Sequence, residues 1–212
     1  MIVAPSMLAA NIKALPEEIE KINNSDASWI HLDIMDGAFV PNTSFDEDLV
    51  SKIRKLTTKF LDVHLMTFNP LALIERYKKA GADLITFHYE AEKDPLSVIR
   101  KIHANGIKAG ISIKPQTKVE AIIEYLPFVD VVLVMSVEPG LGGQKFLTNA
   151  IAKVEELKKL KEIKKYPYLI EVDGGINQET APLVKAKGCD VVVSGSYLFK
   201  ALSFSKAVKV IS

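Results

Sequence analysis

Leu96-Ser97-Val98-Ile99-Arg100-Lys101-Ile102-His103-Ala104-Asn105-Gly106-Ile107-Lys108-Ala109-Gly110-Ile111-Ser112-Ile113 contains one whole repeating unit of the fold. Leu96, Ile99 and Ile102 recur at the three-to-four spacing that gives a helix one apolar stripe. Asn105-Gly106-Ile107-Lys108 then puts Gly where a helix C-terminus needs a left-handed residue, directly ahead of an apolar run that reads as a strand. The same punctuation returns in Ala80-Gly81-Ala82-Asp83 and Lys187-Gly188-Cys189-Asp190, and Ile151, Val154, Leu157 and Leu160 form a second helical stripe. Strand-like runs at 2–6, 29–33, 60–65, 84–88, 108–113, 129–135, 168–173 and 191–194 complete a weak repeat of βα units. Such alternation predicts a parallel sheet covered by helical crossovers. Eight units in 212 residues sit at the lower size limit of a closed (β/α)8 TIM barrel, whereas an open doubly wound sheet more often uses about five to seven strands. The barrel is the expected fold, as one domain over residues 1–212.

Composition narrows the function classes. Nearly half of the residues are hydrophobic, enough for one large core, and no Pro/Ser/Gly-rich linker divides the chain. The formal net charge is +1 with both signs interspersed, so neither nucleic acid nor an anionic membrane finds an electrostatic footprint. A small ligand is the expected partner. Ile2-Val3-Ala4-Pro5-Ser6 begins without a basic region or apolar signal stretch, and no run approaches the length of a membrane span, so a cytoplasmic location is expected. Cys189, the single cysteine, precedes Val191-Val192-Val193 and suits a small buried side chain rather than a nucleophile.

Ionisable groups inside the strands carry the functional signal. His31-Leu32-Asp33 lies within an apolar run, and alternation along a strand sends both side chains to one face. Burying a carboxylate beside an imidazole is costly unless a cation, hydrogen bonds or a ligand compensates. His64 and Asp173 likewise end the strands at 60–65 and 168–173. Active sites of (β/α)8 barrels lie at the C-terminal ends of the strands, where His31, Asp33, His64 and Asp173 would converge. Two imidazoles and two carboxylates suit a divalent transition metal, zinc first, with iron, manganese and cobalt as alternatives, and imidazole argues against magnesium or calcium. His88, ending the fourth strand, is a rival ligand. Asp62, on the face of His64 and one layer deeper, is expected either to orient that imidazole or to lie on the helix side or in solvent.

Three glycine-rich turns form a second constellation. Glu138-Pro139-Gly140-Leu141-Gly142-Gly143-Gln144 follows the sixth strand, Asp173-Gly174-Gly175-Ile176-Asn177 the seventh, and Ser194-Gly195-Ser196 the eighth. Turns without side chains let backbone N–H groups approach an anion, helix N-termini after them would add a favourable dipole, and barrel phosphate sites typically follow strands seven and eight. A phosphorylated small molecule is the expected ligand. Ser6, at the end of the first strand, either donates a hydroxyl to it or caps a turn. A metal beside an anchored phosphosugar can stabilise the enediolate formed when a proton leaves the carbon next to a carbonyl. Asp33 and Asp173, from different sides of the mouth, then suit inversion by two bases.

Ala4-Pro5-Ser6-Met7-Leu8, His31-Leu32-Asp33-Ile34-Met35-Asp36-Gly37-Ala38-Phe39-Val40-Pro41-Asn42, Asp62-Val63-His64-Leu65-Met66, Met135-Ser136-Val137-Glu138 with the glycine turn that follows, Val172-Asp173-Gly174-Gly175-Ile176 and Ser194-Gly195-Ser196 together resemble the ribulose-phosphate 3-epimerase family over essentially the whole chain. The resemblance implies reversible epimerisation at C3 between D-ribulose 5-phosphate and D-xylulose 5-phosphate, a step of the pentose phosphate pathway. It implies one divalent metal held by His31, Asp33, His64 and Asp173, with Asp33 and Asp173 as the acid/base pair. It assigns the substrate and its phosphate to Ser6, His64, Gly140, Leu141, Gly142, Gly143, Gly174, Gly175, Gly195 and Ser196, and makes Met35, Met66 and Met135 the cap over the reacting diolate. Met at strand ends also serves simply to fill core gaps. A homodimer or larger assembly is implied as well. Leu141 stands where Phe is common in the family, Ser136 where Thr is common and Ala38 where many members carry His; none touches the implied ligands. Alternatives are epimerisation of a hexulose phosphate such as allulose 6-phosphate, and a non-catalytic phosphosugar-binding module. A decarboxylase of the same barrel group usually carries Asp-x-Lys on the third strand, where this chain has Asp62-Val63-His64.

Overall fold

A computed structural model describes all residues, 1–212. Eight parallel strands, β1 (Ile2–Pro5), β2 (Trp29–Met35), β3 (Phe60–Met66), β4 (Leu84–His88), β5 (Lys108–Ile113), β6 (Val131–Met135), β7 (Leu169–Asp173) and β8 (Val191–Ser194), pair in the order β1-β8-β7-β6-β5-β4-β3-β2. A single parallel bridge between Ser6 and His31 closes the seam between β1 and β2. Helices α1 (Leu15–Asn23), α2 (Glu47–Leu56), α3 (Ile74–Ala80), α4 (Pro95–Ala104), α5 (Asn149–Lys164), α6 (Ala181–Lys185), α7 (Ser196–Phe199) and α8 (Phe204–Ile211) complete a (β/α)8 TIM barrel. None is long and apolar enough to cross a membrane.

Local chemistry explains the helix limits. Asp94 caps α4 by accepting from the Ser97 N–H, and Pro95 starts the helix where a missing N–H costs nothing. Gly81, Gly106 and Gly188 take positive φ values of 107°, 74° and 98°. At Gly81 a side chain is excluded twice, since a Cβ there would also lie 2.5 Å from Arg54. The fifth connection departs from the repeat: two short 3-10 segments, Val119–Ile122 and Leu126–Phe128, replace an α-helix between β5 and β6. Pro127 within it has no N–H for a helical ladder.

Three aspartates staple neighbouring strands together at their start. Asp83, Asp130 and Asp190 precede β4, β6 and β8, and each accepts the N–H of the second residue of the strand before, Leu61, Ala109 and Ile170. Each carboxylate also meets a cationic or imidazole side chain: Arg54 at 3.0 Å, His103 at 2.9 Å and Lys161 at 2.9 Å. Cys189 lies buried with its thiol directed at the Val191 carbonyl, 3.0 Å away, and burial pushes its pKa up, as suits an inert packing residue.

Inside the barrel, apolar and polar layers are stacked. Trp29, Leu84, Val131 and Val191 form a floor with Ile2, Phe60 and Leu169 around them, and the larger core lies between sheet and helices. Above the floor His31, Asp62, Thr86, Ser112 and Glu171 are all fully buried. Gly110 stands across from Thr86 in this layer, and a Cβ on it would lie 2.2 Å from Thr86 Oγ1 and 3.0 Å from Thr86 Cβ. Rotating the Thr86 side chain cannot clear both contacts. Gly110→Ala should therefore lower stability by about 1–3 kcal/mol in urea denaturation, and adding Thr86→Ala should recover most of that loss.

Candidate active site

All four strand-end ligand candidates meet at one point. Register fixes this: β2 and β3 pair His31 with Asp62 and Asp33 with His64. One ligating atom from each of His31, Asp33, His64 and Asp173 lies within 4.8 Å of every other. His31 Nε2 is 3.3 Å from Asp33 Oδ1 and 4.0 Å from Asp173 Oδ2, and His64 Nδ1 is 3.3 Å from Asp33 Oδ1. His31 Nε2 is buried without a hydrogen-bond partner. A buried nitrogen with no partner, among two carboxylates and a second imidazole, fits a divalent cation in both geometry and donor type.

Neighbouring groups hold these side chains in place, with two departures from expectation. Asp62 does not orient His64; its Oδ2 lies 2.5 Å from His31 Nδ1, because register sets it directly beside His31. His88, expected as a rival ligand, stands behind His64 with their Nε2 atoms 3.0 Å apart and is not part of the four-residue cluster. Ser6 donates to Asp33 Oδ2 at 2.7 Å and also accepts from the Leu8 N–H, so it caps a turn and holds a site carboxylate. Glu171, absent from the sequence reading, lies beneath the cluster with both carboxyl oxygens buried and unpartnered. Its position two residues before Asp173, on the same strand face, was the available signal.

Electrostatics separates the carboxyl groups. Burial alone would raise Asp33, but His31 and then His64 hold its carboxyl well below the usual range. Asp173 is pushed up to about 7, first by burial and then by the charge of Asp33. Burial lowers His64, and takes His88 down to about 4. Glu171 is raised well above its ordinary value by burial and by the nearby Asp62 charge.

This four-residue cluster forms one wall of a cleft of about 440 Å³ at the C-terminal ends of the strands. Ser6, Asp33 and Asp173 line it, together with Met35, Met66 and Met135, the turn from Gly140 to Gly143, Gly174, Gly175, Gly195 and Ser196. His31 and His64 lie buried behind this wall. The methionines are themselves almost fully buried; Met35 and Met66 contact Val40, and Met135 contacts Leu133 and Val137, so they both fill space and face the cleft. The glycine turns converge. Gly175, at φ 63°, sits so close to Phe146 that a Cβ would be 2.6 Å from the Phe146 nitrogen, and a Cβ on Gly143 would lie 3.6 Å from Ser196 Oγ. Only the turn after β8 runs straight into a helix, the four-residue α7, so a helix N-terminus stands behind one of the three turns and not behind all three as expected. Asn42 ties the loop after β2 to this wall by donating to the Gly140 carbonyl at 2.8 Å.

Comparison with known proteins agrees with this arrangement. The sequence profile of the family described as "Ribulose-phosphate 3 epimerase family" matches residues 2–199. A ribulose-phosphate 3-epimerase of Candida glabrata is 42% identical over 94% of the chain and 86% of its own length. One from Treponema pallidum is 45% identical over 93% of the chain and 90% of its own. Among solved structures, a 3-hexulose-6-phosphate synthase superimposes with a TM-score of 0.71 at 18% identity, covering 99% of this chain and 96% of that one, a likeness of fold.

Glu171 yields a test of the buried electrostatics. Because its pKa is raised on folding, the native state retains a proton that the unfolded chain releases above the ordinary carboxylate range, and this contribution to stability is lost as pH rises. Glu171→Gln cannot lose that proton. In urea denaturation of chelator-treated protein, E171Q should gain stability on the wild type as pH rises from 5 to 8. An unchanged difference at the two pH values would show that Glu171 is not held protonated.

Proposed function

This chain belongs to the ribulose-phosphate 3-epimerase family, and on that premise we propose that it interconverts D-ribulose 5-phosphate and D-xylulose 5-phosphate by reversible inversion at C3. What carries the reading is that Asp33 and Asp173 border one cleft from strands β2 and β7, which β1 and β8 separate, with His31 Nε2 between them. Inversion requires a base on one face of the carbon and an acid on the other. Their environments differ already in the metal-free protein, where His31 and His64 hold Asp33 ionised and burial with the Asp33 charge raises Asp173 to about 7, so the second carboxyl takes up a proton more readily than the first. In one direction Asp33 takes the C3 proton and Asp173 delivers its own to the opposite face, and in reverse the roles exchange.

The remaining groups bind, orient and exclude water. His31, Asp33, His64 and Asp173 would hold a divalent ion, with zinc the first choice for this donor set and iron, manganese and cobalt the alternatives. Such an ion supplies positive charge that stabilises the enediolate of the sugar. Backbone N–H groups of the turn from Gly140 to Gly143, of Gly174 and Gly175, and of Gly195 and Ser196 receive the phosphate, a role supported by turns that tolerate no side chain at Gly175. Ser6 holds Asp33 through its 2.7 Å hydrogen bond and thus orients one of the two proton carriers. Met35, Met66 and Met135 cover the reacting carbons with apolar surface and keep water from quenching the intermediate.

Replacing Asp33 or Asp173 with Asn should lower kcat by about 10²–10⁴-fold, and deuterium incorporation into the inverted product in heavy water should fall in step. Near-normal turnover in either variant would refute the two-base reading. Parallel assays with allulose 6-phosphate measure the preference for pentulose over hexulose phosphates, and ligand binding without deuterium uptake in the wild type would make the chain a binding module.

Metal affinity carries a pH signature. Ligation needs the Asp173 carboxylate, raised to about 7, and a neutral His31, which against the cost of burial is raised well above the ordinary imidazole value by Asp62 and Asp33, so apparent affinity should fall by roughly tenfold or more per pH unit as pH drops below about 7. Chelator competition from pH 5.5 to 8.5 measures this. Exhaustive chelation should abolish activity until a divalent ion returns, and full activity of the stripped protein would overturn the metal assignment.

A further inference from the structure

Behind His64 runs a chain of hydrogen bonds that the proposed chemistry does not use. His64 Nδ1 faces Asp33 in the ligand cluster, and its other nitrogen, Nε2, lies 3.0 Å from His88 Nε2. His88 Nδ1 lies 3.2 Å from Glu90 Oε2, and the other Glu90 oxygen accepts from the Lys114 N–H at 2.8 Å and from the Thr117 hydroxyl. The turn bearing those donors is itself fixed. From α5, Lys153 donates to the Lys114 and Pro115 carbonyls at 2.9 and 2.8 Å, and Asn149 donates to the Pro115 carbonyl at 2.9 Å.

Donor and acceptor rules pull the His64 hydrogen two ways: the Asp33 carboxylate, 3.3 Å from Nδ1, favours it there, and the chain behind favours it on Nε2. A carboxylate only accepts, so the His88 Nδ1 facing Glu90 carries the hydrogen. His88 is fully buried with its ring 4.8 Å from that of Phe39, an environment that favours a neutral imidazole, so its Nε2 presents a lone pair. Two ring nitrogens 3.0 Å apart bond only if one donates and the other accepts, which calls for the His64 hydrogen on Nε2. With a divalent ion in place of a hydrogen between Nδ1 and Asp33, only this second demand remains, and the His64 lone pair stays on Nδ1, the nitrogen that faces the cluster.

We propose that Glu90 is a positioning residue: acting through His88, it fixes the His64 tautomer that keeps Nδ1 free to bind a divalent ion, an inference that rests on the metal-site reading above. His31 is anchored from the other side, with Nδ1 held by Asp62 and Nε2 turned toward Asp33 at 3.3 Å. Each imidazole thus has one nitrogen anchored and one facing the cluster, through a single carboxylate for His31 and through an imidazole and a carboxylate in series for His64.

Glu90→Gln tests this with almost no change of shape. The Lys114 N–H can only donate, so the Gln carbonyl must occupy the Oε1 position and its NH2 group must face His88 Nδ1. His88 then has to accept at Nδ1 and donate from Nε2, which drives the His64 hydrogen onto Nδ1 and blocks it. Two measurements decide the matter. In two-bond 1H–15N spectra of the histidine-labelled, Zn2+-loaded wild type His88 should be protonated at Nδ1, and in metal-free E90Q His88 should carry its hydrogen on Nε2 and His64 on Nδ1. Zn2+ affinity, measured against a chromophoric chelator, should weaken by about 10–100-fold in E90Q. Zn2+-loaded wild-type spectra with the hydrogen on His88 Nε2, or an E90Q protein with His88 still protonated at Nδ1 or with unaltered Zn2+ affinity, would overturn the proposal. The wild-type spectrum stands whether or not E90Q folds. Turnover of ribulose 5-phosphate by the wild type separately tests the epimerase reading, so the two fail independently.

Discussion

In-register pairing of β2 with β3 sets His31 beside Asp62 and Asp33 beside His64, all four buried in the barrel. Side chains alternate with a period of two, so a slip of one residue would turn all four polar groups toward the helices and bring Leu32 and Val63 into the barrel. The aspartate staples at Asp83, Asp130 and Asp190 guard against slippage of this kind along the sheet, because each ties the second residue of one strand to the residue preceding the next. Closure at Ser6 and His31 completes the same constraint, since it brings the Ser6 hydroxyl onto Asp33.

Once those groups are confined together, their energetics follow from too few positive charges. Three aspartates and Glu171 surround one imidazole, and the interior answers by separating protonation states: Asp33 ionised, Asp173 and Glu171 raised. A cation at the mouth would relieve this imbalance where the unpartnered His31 nitrogen lies. The apolar floor of Trp29, Leu84, Val131 and Val191 keeps the opposite end of the barrel dry, so the polar layer opens in one direction only, into the cleft. Buried charge is tolerated here because every ionised group has either an imidazole, a hydroxyl or a backbone N–H beside it, and the exceptions are carboxyl groups driven toward neutrality.

Much of this was legible along the chain. Helical stripes, the glycines that end helices and the apolar runs marked all eight strands, and the cleft contains every glycine and methionine expected in it. What the chain did not disclose lies across it. Asp62 was expected beside His64 because the two share one strand, yet its partner His31 is on the neighbouring strand. His88 looked like a ligand because it ends a strand, but the ring of His64 stands in front of it. The fifth crossover was read as one more helical unit, and Pro127 with the shortness of the segment gives 3-10 turns instead.

Sequence by itself determined the alternation of strands and helices, the end of the barrel at which chemistry gathers, and the residue types available there, because those depend on periodicity and on the fixed direction of parallel strands. Only the tertiary structure decided which nitrogen faces which carboxylate, which acid keeps its proton and which histidine is anchored rather than offered. These depend on lateral register and burial, and both are set by strands far apart in the chain whose mutual placement no local pattern encodes.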